Sequence, residues 1–210
     1  MLRRFRPDLP EMDELDLLDW KRRVFALYSD ARASDDVESA WGRWRDGRDA
    51  LVGSHPQSPI APERRAAFAG LPYFEYDPAW RVLGEVVPGD GALRDVAAST
   101  GEAVRFRRFG AVRFELGGAS QELALFWLEG YGGGVFLPFA DATSGRETYG
   151  GGRYLLDTVK GADLGEADGR LVLDFNFAYN PSCSYDPRWV CPLSPPENRL
   201  EVVVSAGERH

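Results

Sequence analysis

The chain has 210 residues, 44% hydrophobic and 28% charged, which is enough for one well-buried core and too apolar for a disordered tail. Gly 23 and Pro 14 exceed the roughly 7% and 5% of average usage, which argues against an all-helical bundle. A net charge of −8, with no stretch near the ~18 apolar residues of a membrane span, excludes nucleic acid and bilayer as default partners.

Arg3, Arg4 and Arg6 are followed by Pro7, Asp8, Pro10 and Glu11, where a signal peptide would place its apolar run. A cytoplasmic location is therefore expected, with Cys183 and Cys191 as free thiols. Leu17, Trp20, Val24, Leu27, Tyr28 and Ala31 then fall on one helical face. Ser34-Asp35-Asp36 offers caps for a second helix, with Asp35 and Glu38 at capping-box spacing. Val37, Trp41, Trp44 and Leu51 form its inner stripe, and Gly53 or Ser54 should stop it. A third helix is expected from Pro62 to near Gly70. The aromatic stripes Trp20, Phe25, Trp41 and Trp44 require a partner surface.

From Leu71 the hydrophobic period changes to two. Val104 and Phe106 alternate with arginines, Gly110 interrupts, Val112, Phe114 and Leu116 alternate again, and Gly117-Gly118 precedes Leu123, Leu125 and Trp127, the pattern of a meander with glycine turns. Further strands are expected at 73–76, 80–87, 134–139, 171–177 and 200–204. The fold class is therefore mainly β with N-terminal helices (α+β). An antiparallel meander should close into a β-barrel or β-sandwich, packed by two or three helices. One domain covers 1–210, divided into a helical segment, 1–70, and a β-rich body, 71–210, which carries most of the acidity.

The stretch from Tyr149 to Leu200 is the most unusual. It holds Tyr149-Gly-Gly-Gly-Arg153-Tyr154, then Leu171-Val-Leu-Asp-Phe-Asn-Phe-Ala-Tyr179-Asn180-Pro181, Cys183, and Cys191-Pro-Leu-Ser-Pro-Pro-Glu197-Asn198-Arg-Leu200; Ala206-Gly207-Glu208 closes it. These strings, with His55-Pro-Gln-Ser-Pro59 and Phe68-Ala-Gly-Leu71-Pro-Tyr-Phe74, resemble a bacterial and archaeal family known only as a domain of unknown function. The resemblance covers nearly the whole chain and implies no reaction or catalytic residue.

The residues themselves give candidate sites. Gly150–Gly152 suits either a ligand approaching the backbone or a crowded strand crossing. Arg153 could hold a carboxylate or phosphate, or pair with Asp157, Asp174 or Glu197 inside the fold. Asp174 and Asn176 lie opposite the apolar face of their strand and would line a pocket or a solvated face. Asn180 and Asn198 read as loop anchors, and the proline-rich 180–198 loop as a pocket wall or lid. Gly130–Gly134 leads into a strand, not a helix, so it is no phosphate loop. His55, Asp174 and Cys183 are the catalytic candidates. No metal and no cofactor are expected; the alternative is a metal held by Cys183, Cys191 and His55, against which stands the seven-residue spacing of the cysteines.

Three readings of function follow. The first is binding of a small anionic organic ligand in a barrel or sandwich pocket by Tyr149, Arg153, Asp174, Asn176, Asn180 and Glu197. The second is an enzyme with hydrolase-like acid/base chemistry in that pocket. The third is a protein-interaction or homodimerisation module presenting Trp80 or Trp189. Convergence of Tyr149, Arg153, Asp174, Asn180 and His55 on one cavity separates the first two from the third.

Overall fold

A computed structural model describes residues 13–210; the proline-and-acid opening lies outside them. Two helices come first, α1 (Asp13–Arg32) and α2 (Val37–Ser54), then a single turn, α3 (Pro62–Arg65). Asp36 caps α2, accepting the Ser39 N–H at 3.0 Å, so the expected Asp35/Glu38 capping box does not form. The carboxylate one residue later reaches the third amide more directly. Ser54 ends α2 as expected, but α3 stops well short of Gly70.

Eight strands follow: β1 (Arg81–Pro88), β2 (Leu93–Ala97), β3 (Ala103–Leu116), β4 (Ala119–Leu128), β5 (Val135–Phe139), β6 (Arg153–Asp157), β7 (Glu166–Ala167) and β8 (Arg170–Asp174). All pairings between them are antiparallel, in the order β6-β5-β4-β3-β1-β8-β7, with β2 beside the first half of β3. The sheet curls into a half-barrel whose edges approach where Tyr154 of β6 bridges Tyr179, just past β8. The α+β expectation holds, with the helices packed on the curled sheet.

Each face of the sheet has its own core. Tyr28, Trp41 and Trp44 of the helices pack with Phe106, Phe126, Phe136, Val172 and Phe177. On the other face Val112, Phe114, Leu123, Leu125, Phe139, Leu173 and Phe175 pack with Leu200, Val204 and Ala206 from the C-terminal segment. Along β4 the alternation is direct: Leu123 and Leu125 point to one core, Ala124 and Phe126 to the other. β3 switches sides partway, because the register with β4 jumps between Arg108 and Gly110. Phe109 is the extra residue of a bulge, and it inverts the parity, so Phe106 serves the helix-side core while Val112 and Phe114 serve the other. Gly110 thus continues a strand that the sequence pattern divides in two.

Other expectations need correcting. The stretches 73–76 and 200–204 are not strands; Tyr73 makes a single bridge to Glu208, and Arg199 one to Ala140. β2, β6 and the two-residue β7 were not expected. β8 ends at Asp174, and Phe175–Phe177 is a 3-10 turn. Phe25 is half-exposed, lying over Gly161. Trp80 packs against the second core, and the Trp189 indole donates to the Pro59 carbonyl at 3.2 Å, so neither is freely presented.

Candidate functional site

The residues singled out by sequence do not meet in one place. Arg153 is buried and clamps the C-terminal segment: its guanidinium donates to the carbonyls of Ala206, Glu208 and Val204, the last two at 3.3 Å, lies 3.5 Å from Asp141, and sits over the Phe139 ring. Burial lowers its pKa to about 10, opposed by Asp141 and Glu208. Asp141, which no sequence pattern marked, also accepts from the Thr143 hydroxyl at 2.8 Å and the Val204 N–H at 2.8 Å. Gly152 sits where a Cβ would meet the Phe139 carbonyl at 2.6 Å, so the crowded-crossing reading of the glycine run applies there.

Asp174 and Asn176 are buried, not solvated. Asp174 caps the 3-10 turn by accepting the Asn176 N–H at 3.0 Å, and Asn176 brackets the Asp77 backbone through both ends of its amide. Burial lifts the Asp174 carboxyl, against the bonds from Asn176 and the charge of Arg81. Glu197 is exposed in the turn before Asn198. Asn198 is fully buried and anchors its loop as expected, bonding both Ala124 backbone groups and the Pro138 carbonyl. His55 is buried edge-on to Trp20, accepts the Gln57 N–H at 3.1 Å and faces Asp19 at 3.3 Å. Burial lowers its pKa, offset by the Asp19 bond.

Two places hold polar chemistry beyond what the fold requires. The first is a cavity of ≈ 60 Å³ between α1, α2 and the 179–185 segment, walled by Trp20, Tyr28, Arg48, Lys160, Asn180 and Tyr185. Behind Arg48 lies Glu208, fully buried, which accepts from Arg48 at 2.9 Å, from the Asn180 N–H at 3.0 Å and from the Tyr185 hydroxyl. Burial raises the Glu208 pKa against the pull of Arg48. Arg48 in turn donates to the Tyr73 hydroxyl at 3.0 Å and stacks over Trp44 and Tyr179. Among the described residues, two buried polar atoms that belong to wall residues have no hydrogen-bond partner, the Tyr28 hydroxyl and Asn180 Oδ1. The Trp44 indole N–H lies near the Tyr28 oxygen without alignment, leaving the Tyr28 O–H proton no acceptor. Buried polar groups are nearly always satisfied, so this pair calls for a partner.

A larger groove of ≈ 290 Å³ beside α2 is shallow and mixed in charge, with Arg45, Asp46, Asp49 and Glu75 along it. Its Asp49 is already engaged by the Leu71 N–H at 3.0 Å.

The second place is the cysteine pair. Cys183 lies in a 3-10 turn (Ser182–Ser184), half-buried, and Cys191 is buried. Each thiol shifts the titration of the other, Cys183 downward and Cys191 upward, and the Tyr149 hydroxyl lies 3.7 Å from Cys183 Sγ. Of the six ligand residues expected from sequence, Asn180 alone reaches the cavity wall and Tyr149 faces the thiols instead. The described residues contain no group of three or more His, Cys, Asp or Glu placed to hold a metal ion, so His55 does not complete a site with the cysteines.

Sequence reasoning passed over Arg48, Tyr28, Tyr185 and Glu208. One signal was available for Arg48: it stands seven residues after Trp41 and four after Trp44, a charge on an otherwise apolar stripe.

Fold and cavity together define a helix-covered antiparallel half-barrel with a small, mainly apolar chamber beneath the helices that carries a few polar groups. The chain belongs to the family described as "Protein of unknown function (DUF1684)", which matches residues 66–209. The solution NMR structure of the uncharacterised protein from gene locus rrnAC0354 of Haloarcula marismortui is similar, with 36% identity and a TM-score of 0.58, covering 95% of this chain and 98% of that one. No curated protein matches.

Proposed function

We propose that the protein binds a small anionic organic molecule, not in the pocket expected around Arg153, whose residues do not converge, but in the cavity between α1, α2 and the 179–185 segment. The observation that carries this reading is the unpartnered pair on residues that line the cavity, the Tyr28 O–H as donor and Asn180 Oδ1 as acceptor. Each is a standing cost, and a ligand bearing both an acceptor and a donor removes it. The charge preference follows from the walls: the charged residues there are Arg48 and Lys160, and no carboxylate lines the space. Glu208 pairs with Arg48 and Asp157 with Lys160, the latter at 3.2 Å; Lys160 is the more exposed of the two cations and the one able to turn toward an anion. A volume of ≈ 60 Å³, far below the roughly 300–1,000 Å³ of drug-sized sites, limits the ligand to a fragment-sized molecule such as a short hydroxy- or amido-carboxylate. In this reading the protein works in the reducing cytoplasm, apart from nucleic acid and membrane. The charge of −8 supports it, and among the described residues no helix is long and apolar enough to cross a membrane.

The test is a thermal-shift panel of short hydroxy-, keto- and amido-carboxylates on the whole chain. A binder at about 100 times its Kd should add about 2.7 kcal/mol to stability. Tyr28→Phe and Lys160→Ala should leave the protein folded and abolish most of that gain. A gain that survives both substitutions, or a panel with no binder, overturns the reading.

A further inference from the structure

We infer that Cys183 and Cys191 form a thiol–disulfide redox pair, oxidised by a low-molecular-weight disulfide, in which Cys183 attacks and Cys191 resolves. The placement of the two sulfurs carries this. Cys183 is the more accessible, in a three-residue turn following Pro181. Cys191 is only 4% exposed and is tied to the end of β2 on both sides: its N–H donates to Ser99 Oγ at 3.2 Å and its carbonyl accepts the Ser99 N–H at 2.9 Å. An outer thiol thus stands near an inner, fixed one, and each shifts the titration of the other. The Tyr149 hydroxyl, 3.7 Å from Cys183 Sγ, is placed to donate to a thiolate there.

Electrostatics agree with the geometry. Interaction with the Cys191 thiol draws Cys183 down to about 6, despite burial, while the same interaction, with burial, pushes Cys191 up. Burial, with Cys183 beside it, raises the Tyr149 phenol to about 12, so it remains a donor. Lys160 and Tyr154 also act on the pair, and the His210 ring packs edge-on to Tyr149 at 5.4 Å. A low-pKa outer thiolate beside a protonated inner thiol is the arrangement that disulfide exchange requires.

Two alternatives fit less well. A structural zinc needs four ligands, and among the described residues no third His, Cys, Asp or Glu stands with these two. A purely stabilising disulfide gains with the length of the loop it closes, whereas this one would close a short segment already held by the Ser99 and Pro192 backbone contacts.

In the first step the Cys183 thiolate attacks one sulfur of the small disulfide. A Cys183–sulfur bond forms as the small molecule's S–S bond breaks, and one thiolate leaves and takes a proton from water. In the second, Cys191 gives its proton to solvent and its sulfur attacks Cys183 Sγ, expelling the other small thiol. The dithiol loses two electrons and two protons, and the small disulfide becomes two thiols.

Oxidised glutathione serves as the probe on the native chain, read by intact mass and peptide mapping. The wild type should lose two hydrogens and yield a peptide joining Cys183 to Cys191. Cys191→Ser should accumulate a single glutathione adduct at Cys183, and Cys183→Ser should give neither product. Alkylation of Cys183 by iodoacetamide should titrate near pH 6 in the wild type and move toward the ordinary ~8.5 in Cys191→Ser. A stable glutathione adduct on the wild type, an unmodified wild type, or a Cys183 that titrates like a free cysteine overturns the proposal, and these three results need no variant to fold. Ligand binding in the helix-side cavity has no bearing on any of them.

Discussion

Replacing Arg153 with lysine or methionine distinguishes a structural guanidinium from a ligand-binding one. The side chain spans three carbonyls and one buried carboxylate, at Ala206, Glu208, Val204 and Asp141. Lysine keeps the charge but lacks the planar fork, so it can hold one or two of these acceptors. With each charge-assisted bond worth roughly 1.5–3 kcal/mol, Arg153→Lys should cost about 2–4 kcal/mol. Methionine strands Asp141, which is fully buried, and breaking a buried pair costs about 3–5 kcal/mol before the freed carbonyls are counted. Arg153→Met should therefore approach the ~5–15 kcal/mol of a whole domain and fold poorly, if at all. Urea unfolding followed by tryptophan fluorescence measures both; for Arg153→Lys the midpoint should fall with an unchanged slope. The melting temperature should drop by about 2–4 °C per kcal/mol. An Arg153→Lys protein within about 0.5 kcal/mol of wild type, well under one bond's worth, would refute the clamp.

Glu208→Gln should cost about 3–5 kcal/mol by leaving Arg48 without its buried counter-charge, and Arg48→Met in the same chain should recover part of that loss in a double-mutant cycle by chemical denaturation. Gly207→Ala puts a methyl 2.6 Å from the Phe175 carbonyl and 2.7 Å from that of Ala178 at a φ of +77°; the left-handed backbone alone costs about 1 kcal/mol, and calorimetry should show a larger loss because neither carbonyl can retreat. His55 binds a proton less readily folded than unfolded, so its contribution is present above the unfolded value of about 6.5 and is lost as pH falls through its lower folded value. Urea midpoints between pH 7.5 and 5.5 should therefore fall more steeply in the wild type than in His55→Gln; equal slopes would show that the ring does not titrate differently on folding.

Legibility followed the physics of burial. α1 and α2 could be read because each has one wet face, and the β3–β4 hairpin because its far end is wet on one side, with buried Phe114 and Leu116 alternating with exposed Arg113 and Glu115, which leaves a period in the sequence. β6, Arg153–Asp157, is buried throughout and so carries no alternation, as for any strand covered on both faces. Gly110 read as a break because a bulge and a turn use the same residue type. Asp174 and Asn176 kept an alternation that the backbone abandons at residue 174, where their side chains cap a turn. The cavity was hidden for a different reason. Tyr28 fits the apolar stripe of α1, and only three-dimensional placement shows that its hydroxyl lacks an acceptor. The 180–198 loop was expected to wall a pocket, and its first residues do so, though against the helices and not inside a barrel.

The C-terminal segment that Arg153 grips also bears on how the molecule reaches its fold. Val204 bonds Asp141 across 63 residues, Ala206 bonds Arg153 across 53, and Glu208 pairs with Arg48 across 160. Until these distant partners meet, one face of the sheet is left wet, with Leu125, Phe139 and Phe175 uncovered. Such non-local closure places folding at the slow, millisecond-to-second end of small-domain rates. It also makes the open half-barrel the species most prone to self-association, so aggregation during refolding should track the docking of this segment and not the formation of the hairpins.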